Sequence, residues 1–183
     1  MALTRLTIDG YGQIELNNFA APRDGRVEAQ CKLNATDFAK GAENGMLVAV
    51  DNVKREIKLY SASANLPLAI IYTTEHMYDD RKNGLKDFIN TVDGFYPRLG
   101  YLAVGDKFTT NTFCYDTTEF TAETNLIAAI DGIATTPLYA GVSTTGAWKL
   151  TATKPTAGPV ALVVKKTTMP DGQLGLKLQV LTD

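Results

Sequence analysis

The sequence has few of the residues that build metal sites and disulfide frameworks. It contains one histidine, His76, and two cysteines, Cys31 and Cys114. A catalytic zinc site built on histidines needs two or three of them, and a structural zinc site takes four cysteine or histidine ligands. The chain cannot supply either set from these residue types alone. The cysteine count also excludes a small domain that depends on several disulfides.

Long apolar segments and an excess of positive charge are also missing. The longest apolar run is Leu66–Ile71, well short of the ~20 residues that a membrane span requires. The first residues, Met1–Arg5, lack the apolar stretch of a signal peptide. The net charge is −2 and the isoelectric point about 5.4, which gives no support to a nucleic-acid partner. We therefore expect a chain made in the cytoplasm, with no membrane contact and no direct nucleic-acid contact.

Motifs that carry chemistry are absent as well. Neither the phosphate-binding patterns GxxxxGK[ST] and GxGxxG nor the nucleophile pattern GxSxG occurs. His76 lies in the acidic run Glu75–Asp80, which is either a metal or acid–base site or a polar loop. We favour the loop, because Arg81 and Lys82 would compete for the carboxylates. The prediction is a protein without catalytic residues, metal or cofactor, whose two cysteines are buried thiols at apolar strand positions.

Threonine is abundant, with about 23 in the chain, and apolar residues alternate with polar ones. Alternation over 26–33 predicts one strand with a buried and a solvated face. The same pattern over 174–181, facing 160–168 across the turn Met169–Gly172, predicts a C-terminal hairpin over 160–181. Three further hairpins are predicted: 3–8 with 13–16, 47–50 with 54–60, and 101–104 with 108–115.

Helical signals are few. The best is Thr121–Ile130, in which Thr121 is the predicted cap and Asp131-Gly132 the stop. Weaker signals cover Thr36–Lys40 and Asp79–Asn90.

These patterns predict a mainly β protein: a small β-barrel or sandwich with an extended N-terminal arm and one or two short helices. We expect the arm at 1–40, a barrel-like domain at 41–150, and a linker with the C-terminal hairpin, packed on the same domain, at 151–183. Residues Gly45–Asp51 echo Gly100–Asp106. The echo indicates either the general likeness of short hairpins or two related barrel-like units.

An aromatic cluster at Phe95–Tyr101 suggests a contact surface, since tyrosine and arginine are enriched at protein interfaces. The candidate interface residues are Tyr96, Arg98, Tyr101 and Trp148. The alternative is that the cluster covers one end of a barrel and that Trp148 lies in the core.

Two segments of the sequence resemble a known family. They are Glu43–Asp51, with the pattern Gly-x-Leu-Val-x-Val-Asp, and Leu99–Thr109, with a Gly-Asp turn between apolar stretches. Over about residues 40–115 the chain resembles the head decoration (cement) proteins of tailed bacteriophages.

The resemblance implies a non-enzymatic structural protein on the phage head surface, which binds the major capsid protein and stabilises the assembled shell. It also implies a homo-oligomer. Two alternatives stay open: a neck or tail component, and a small-molecule or carbohydrate-binding β-module that stacks sugars on Trp148 and the Tyr96–Tyr101 cluster.

Overall fold

The computed structural model describes residues 2–93 and 95–183 and is mainly β, with 33% strand and 9% helix. This confirms the predicted fold class. The helices are α1 (Ala21–Asp24), α2 (Gly84–Asp87) and α3 (Glu123–Asp131). The strands are β1 (Leu3–Arg5), β2 (Ile14–Glu15), β3 (Val27–Glu28), β4 (Lys32–Leu33), β5 (Leu47–Asp51), β6 (Glu56–Lys58), β7 (Leu68–Ile71), β8 (Leu99–Tyr101), β9 (Lys107–Thr110), β10 (Phe113–Asp116), β11 (Tyr139–Gly141), β12 (Trp148–Thr151), β13 (Val160–Thr168) and β14 (Leu174–Thr182).

The strands form two sheets. The large sheet has the order β1-β10-β12-β11-β13-β14-β9-β2, and the small sheet has the order β3-β8-β7-β5-β6-β4. Both are mixed, because β10 pairs with β12 and β4 with β6 in parallel. The small sheet takes its strands from residues 27–101 and the large sheet from 3–15 and 107–182. The chain therefore passes between the sheets near residues 15–27 and 101–107.

The small sheet is strongly curled. Its edge strands β3 and β4 are separated along the chain by residues 29–31 alone. A flat sheet of six strands would hold its edges ~24 Å apart, whereas the chain from Glu28 to Lys32 spans at most ~14 Å. The edges must therefore approach one another, although no strand pairing closes the sheet within 2–93 and 95–183. The predicted single strand over 26–33 is wrong, because the chain bends at 29–31 and its two halves pair at opposite edges.

The large sheet curls in the same way. Strands β9 and β10 lie five positions apart in it, yet only Asn111 and Thr112 connect them. Its two edges meet on Asn111: the Arg5 guanidinium of β1 donates to the Asn111 carbonyl at 3.0 Å, and the Gln13 amide donates to the Asn111 side chain at 2.8 Å. The result is a sandwich-like arrangement of two curled sheets, with no closed barrel in the part of the chain that is described.

Two of the predicted hairpins are confirmed, namely β5 with β6 and β13 with β14. The hairpin over 3–16 is wrong, because β1 pairs with β10 and β2 with β9. The amides of Tyr11 and Gly12 donate to the Lys86 carbonyl and the Glu43 carboxylate instead of closing a turn. The hairpin over 101–115 is also wrong: β8 belongs to the small sheet and β9 to the large one.

The link between β8 and β9 depends on Asp106, whose side chain is buried. Its carboxylate accepts the amides of Ala103 at 3.0 Å and Ala20 at 3.2 Å. The Arg26 guanidinium pairs with it at 3.1 Å. One carboxylate thus ties the crossover between the sheets to the segments before and after α1.

Each sheet surrounds its own core. The small-sheet core contains Val48, Val50, Ile71 and Leu99, while their neighbours Leu47 and Ile70 pack into the large-sheet core. Both faces of β5 and β7 are therefore buried. This explains why these strands have continuous apolar runs and not the alternation of a half-exposed strand.

Gly45, two residues before β5, connects the two sheets. Its φ is +83°, and a Cβ atom there would lie 2.2 Å from the Thr110 hydroxyl of β9. Its carbonyl accepts the indole N–H of Trp148 at 3.1 Å. Next to it, the Glu43 carboxylate pairs with Arg5 at 2.7 Å. Glycine is required at residue 45 because the backbone conformation and the close approach of β9 both exclude a side chain.

Helix α3 confirms the strongest helical prediction but not its predicted cap. The N-cap residue is Ala122, and the Thr121 hydroxyl instead accepts a hydrogen bond from the Asn125 side chain at 2.8 Å. Leu126 and Ile130 are buried in the large-sheet core, and Gly132 follows the last turn as expected.

The fold should lose stability in acid through Asp116, at the end of β10. Its carboxylate accepts the Thr118 backbone N–H at 3.0 Å and the Thr118 hydroxyl at 2.8 Å, and Lys149 lies 3.4 Å away. These hydrogen bonds, the backbone one first, lower the pKa of Asp116. A lowered pKa contributes stability above the ordinary value of about 3.9, and that stability is lost as the pH falls through the folded-state pKa.

We therefore expect the free energy of unfolding to fall as the pH drops from about 5 through the folded-state pKa of Asp116. Denaturant titrations across this range should show a smaller fall for Asp116→Asn than for the wild type. Asp80→Asn, at an exposed carboxylate, is the control and should retain the wild-type pH dependence. Equal acid sensitivity in Asp116→Asn and the wild type would contradict the assignment.

Candidate contact surface

The four predicted interface residues do not form one surface. Tyr96 is 56% exposed and Arg98 is exposed. Tyr101 is half-buried and lines a cleft of about 550 Å³ between the two sheets. Trp148 is fully buried, 5.6 Å from the ring of Phe108.

The burial of Trp148 corrects its candidate role. With no exposed surface it cannot contact a partner or stack on a sugar, and the carbohydrate-binding alternative loses the residue on which it mainly depended. The sequence alternative that put Trp148 in the core is confirmed.

The segment that contains Tyr96 and Arg98 lies instead beside residues 72–73. The Tyr72 amide donates to the Arg98 carbonyl at 2.9 Å, and the Arg98 amide donates to the Thr73 hydroxyl at 3.0 Å. This pairing continues the β7–β8 contact beyond the ends of the strands. It places the predicted aromatic cluster next to the loop that contains His76.

An apolar cleft of about 520 Å³ opens in this region. Apolar side chains form most of its wall. The lining residues are His76, Met77, Tyr78, Lys82, Asp87, Phe88, Ile89, Thr91 and Phe95. The rings of Phe88 and Phe95 stand edge to face with centroids 6.3 Å apart, a favourable aromatic geometry.

The cleft is held by short-range capping and by long-range hydrogen bonds. Asn83 caps α2 by accepting the Leu85 amide at 2.9 Å, and Asp87 accepts the Asn83 amide at 2.7 Å in return. At the far end, Asn90 and Ala42 exchange two backbone hydrogen bonds of 2.9 Å. The loop before β2 fixes α2 from outside, because the Tyr11 amide donates to the Lys86 carbonyl at 2.6 Å.

Exposed aromatic and aliphatic side chains occur in the segments that form this cleft or contact it. Tyr78 is 99% exposed, and Tyr96, Leu85 and Tyr11 are exposed as well. Together with the cleft lining they form what we call the aromatic surface: Tyr11, Met77, Tyr78, Leu85, Phe88, Ile89, Phe95 and Tyr96. Exposed aromatic side chains combined with an apolar cleft are typical of an interaction site.

The acidic run around His76 forms no metal site that the structure shows. No group of three histidine, cysteine, aspartate or glutamate side chains suited to a metal occurs in 2–93 and 95–183. The Glu75 carboxylate accepts the Asn44 side chain at 3.2 Å. Asp79 pairs with Arg81 at 2.9 Å, and that hydrogen bond lowers the pKa of Asp79. The predicted competition of Arg81 for these carboxylates is confirmed at Asp79.

The cysteines are buried in separate cores, as predicted for packing thiols. Cys31 lies with the small-sheet core, and Cys114 belongs to β10 of the large sheet. Burial is the main cause that raises the pKa of both thiols. A raised pKa leaves little nucleophilic thiolate at neutral pH.

Sequence reasoning missed most of the aromatic surface. It singled out Tyr96 from the dense cluster at 95–101, but Tyr78 stands alone in a charged run and Met77 and Phe88 lie in a segment with a weak helical signal. The missing information was the pairing of 72–73 with 98, which is set by the β7–β8 register.

Comparison of the chain with protein-family models, curated proteins and solved structures found no match in any of the three. Among the described residues, no helix combines the length and apolar character needed to cross a bilayer.

Proposed function

We propose that the chain is a non-enzymatic structural protein of a tailed-phage virion, which binds the outside of the head and stabilises the assembled shell. The aromatic surface is the observation that carries the proposal, because it offers rigid contact area around a cleft that can receive a partner's side chains. The partner is the major capsid protein, and the protein is one of several copies on each shell. Its place is the virion head surface.

The physical basis of such a role is linkage. A protein that binds only the assembled shell stabilises that state by mass action, by an amount that grows with its concentration relative to Kd. Tyrosine and phenylalanine supply large contact areas at low entropic cost, and a few such residues usually dominate the binding energy of an interface. The curled sheets below support this surface with two packed cores.

The proposal is tested with empty shells assembled from the major capsid protein encoded in the same genome. The purified chain should co-sediment with these shells and raise their melting temperature, and electron microscopy should show it on the outer surface. The proposal fails if the genome encodes no major capsid protein, if the chain leaves shells unbound, or if it is found only at the neck or tail.

The aromatic surface gives a specific prediction for this assay. The double variant Tyr78→Ser with Tyr96→Ser should bind shells at least about tenfold more weakly, because each serine removes an exposed aromatic contact. Its own melting temperature should change little, since both side chains are exposed. Sedimentation at graded protein concentrations measures the change in affinity.

Two exposed valines away from the aromatic surface provide the matched control. Val53 is 95% exposed and Val104 is 64% exposed. The double variant Val53→Ser with Val104→Ser removes apolar surface elsewhere and should bind like the wild type. If both double variants lose affinity equally, the aromatic surface has no special role.

A further inference from the structure

Three lysines cluster on the outer face of the large sheet. The register places Lys165 of β13 directly opposite Lys177 of β14. Lys107 of β9 is opposite Gln179, so it is the diagonal neighbour of Lys177. Leu178 adjoins Lys177 and Phe108 adjoins Lys107, and both point into the large-sheet core. A bulge between Val163 and Lys165 turns Lys165 to the face opposite the buried Val163. The three lysines therefore share the opposite, outward face.

These lysines form no ion pair in the part of the chain that the structure describes. No carboxylate oxygen lies within 4.0 Å of any of their ammonium groups in 2–93 and 95–183, in contrast to Lys58, Lys86, Lys149 and Lys166, each of which is paired. Glu15 is the acid in the same row of the sheet. It faces Thr109 from the edge strand β2, so it is the diagonal neighbour of Lys107, whereas Lys177 is two strands away, ~10 Å.

The facing pair is unfavourable for the isolated chain. Like charges directly opposite each other in a sheet destabilise it. The Cβ atoms of a facing pair are ~5 Å apart, and those of a diagonal pair are ~7–8 Å apart. Within 2–93 and 95–183, neither Lys165 nor Lys177 forms an ion pair that would offset this repulsion. An anionic partner on the outer face would remove it.

We infer that Lys107, Lys165 and Lys177 form a docking face for an acidic protein surface with closely spaced carboxylates. Side chains one turn apart on a helix are separated by ~5–6 Å, which suits the spacing of the facing lysines. A protein partner is favoured over a nucleic acid because the whole chain carries a net charge of −2, which opposes the approach of a polyanion.

The inference rests on the proposed function, in which the acidic surface belongs to a capsid subunit. The lysine face and the aromatic surface share no residue and come from different segments of the chain. A protein with two such separate contact faces can hold two neighbouring subunits, which is how a cement protein would strengthen a shell.

The first test uses poly-L-glutamate as a defined acidic polypeptide. The wild type should bind it at low salt, with an affinity that falls steeply as NaCl is added. The double variant Lys165→Gln with Lys177→Gln should bind at least about tenfold more weakly. Lys32→Gln with Lys54→Gln has the same net charge at exposed positions outside this face, and it should bind like the wild type.

Other outcomes overturn the inference. Equal loss of poly-L-glutamate binding in both double variants would indicate a general effect of charge. Tighter binding of a 20-base-pair DNA duplex or of phosphatidylserine vesicles, also lost on Lys165→Gln with Lys177→Gln, would assign the face to those anions. A lower melting temperature in this variant would make the lysines structural, whereas relief of repulsion predicts an equal or higher one.

Shell binding separates this inference from the proposed function. If shells bind the wild type and the Lys165→Gln with Lys177→Gln variant equally, the docking face is wrong and the function stands. If neither protein binds shells while poly-L-glutamate binding still depends on the two lysines, the function is wrong and the acidic docking face stands.

Discussion

Replacement of Trp148 by alanine should lower the free energy of unfolding by about 3 to 5 kcal/mol. The indole is fully buried in the large-sheet core, packs on Phe108, and donates to the Gly45 carbonyl at 3.1 Å. Alanine would leave a cavity and an unpaired buried carbonyl at the point where the two sheets meet. The cost therefore combines lost apolar burial, an unfilled void and a lost hydrogen bond.

Chemical denaturation followed by circular dichroism measures this change, since the variant has no tryptophan fluorescence. Tyr78→Ala is the control: it removes an aromatic side chain that is 99% exposed and should change stability by less than about 0.5 kcal/mol. A Trp148→Ala protein as stable as the wild type would show that the indole is not part of the core.

Replacement of Asp106 by alanine should lower the free energy of unfolding by about 3 to 5 kcal/mol. The change leaves the Arg26 guanidinium without its buried carboxylate and removes the acceptor of the Ala103 and Ala20 amides. Arg26 would lose its most buried partner, since the Asp106 side chain is 5% exposed, and the two amides would lose their buried acceptor. The crossover from β8 to β9 should loosen, with faster hydrogen exchange at the Ala103 and Ala20 amides.

Asp24 provides a matched control for this prediction. Its carboxylate lies 3.4 Å from the same guanidinium but is exposed. Exposed ion pairs contribute little, so Asp24→Ala should cost less than about 1 kcal/mol. Comparable losses in the two variants would mean that Arg26, and not the buried carboxylate of Asp106, controls the crossover.

The burial of Trp148 also changes the view of the predicted interface. Composition alone placed it with Tyr96 and Arg98, because aromatic and arginine residues are common at interfaces. Ala147 and Leu150, which flank it in the chain, are apolar and buried too. The local pattern was therefore as consistent with a core strand as with an interface. Only the packing of β12 between β10 and β11 resolves the two interpretations.

Local signals predicted the elements that depend on local chemistry. The hairpin over 160–181 could be predicted from the sequence because the alternation and the Pro170-Asp171-Gly172 turn both lie within it. The hairpin of β5 and β6 and the helix that stops before Gly132 could be predicted for the same reason. The pairing of the strands in 3–16 and 101–115 could not be predicted in this way, because the turn-like residues there form hydrogen bonds with distant segments instead of closing turns.

The sequence by itself thus determined a mainly β protein with two unpaired, buried cysteines and few helices, since alternation, turn residues and scarcity of helical stripes are local properties. The tertiary structure decided which strands pair and that both sheets curl. It also decided that Tyr78 and Tyr96 are exposed while Trp148 is buried in the core. The physical reason is that strand pairing and burial depend on contacts between residues far apart in the chain. A period of two indicates that a strand has two faces, but not which partner each edge will find.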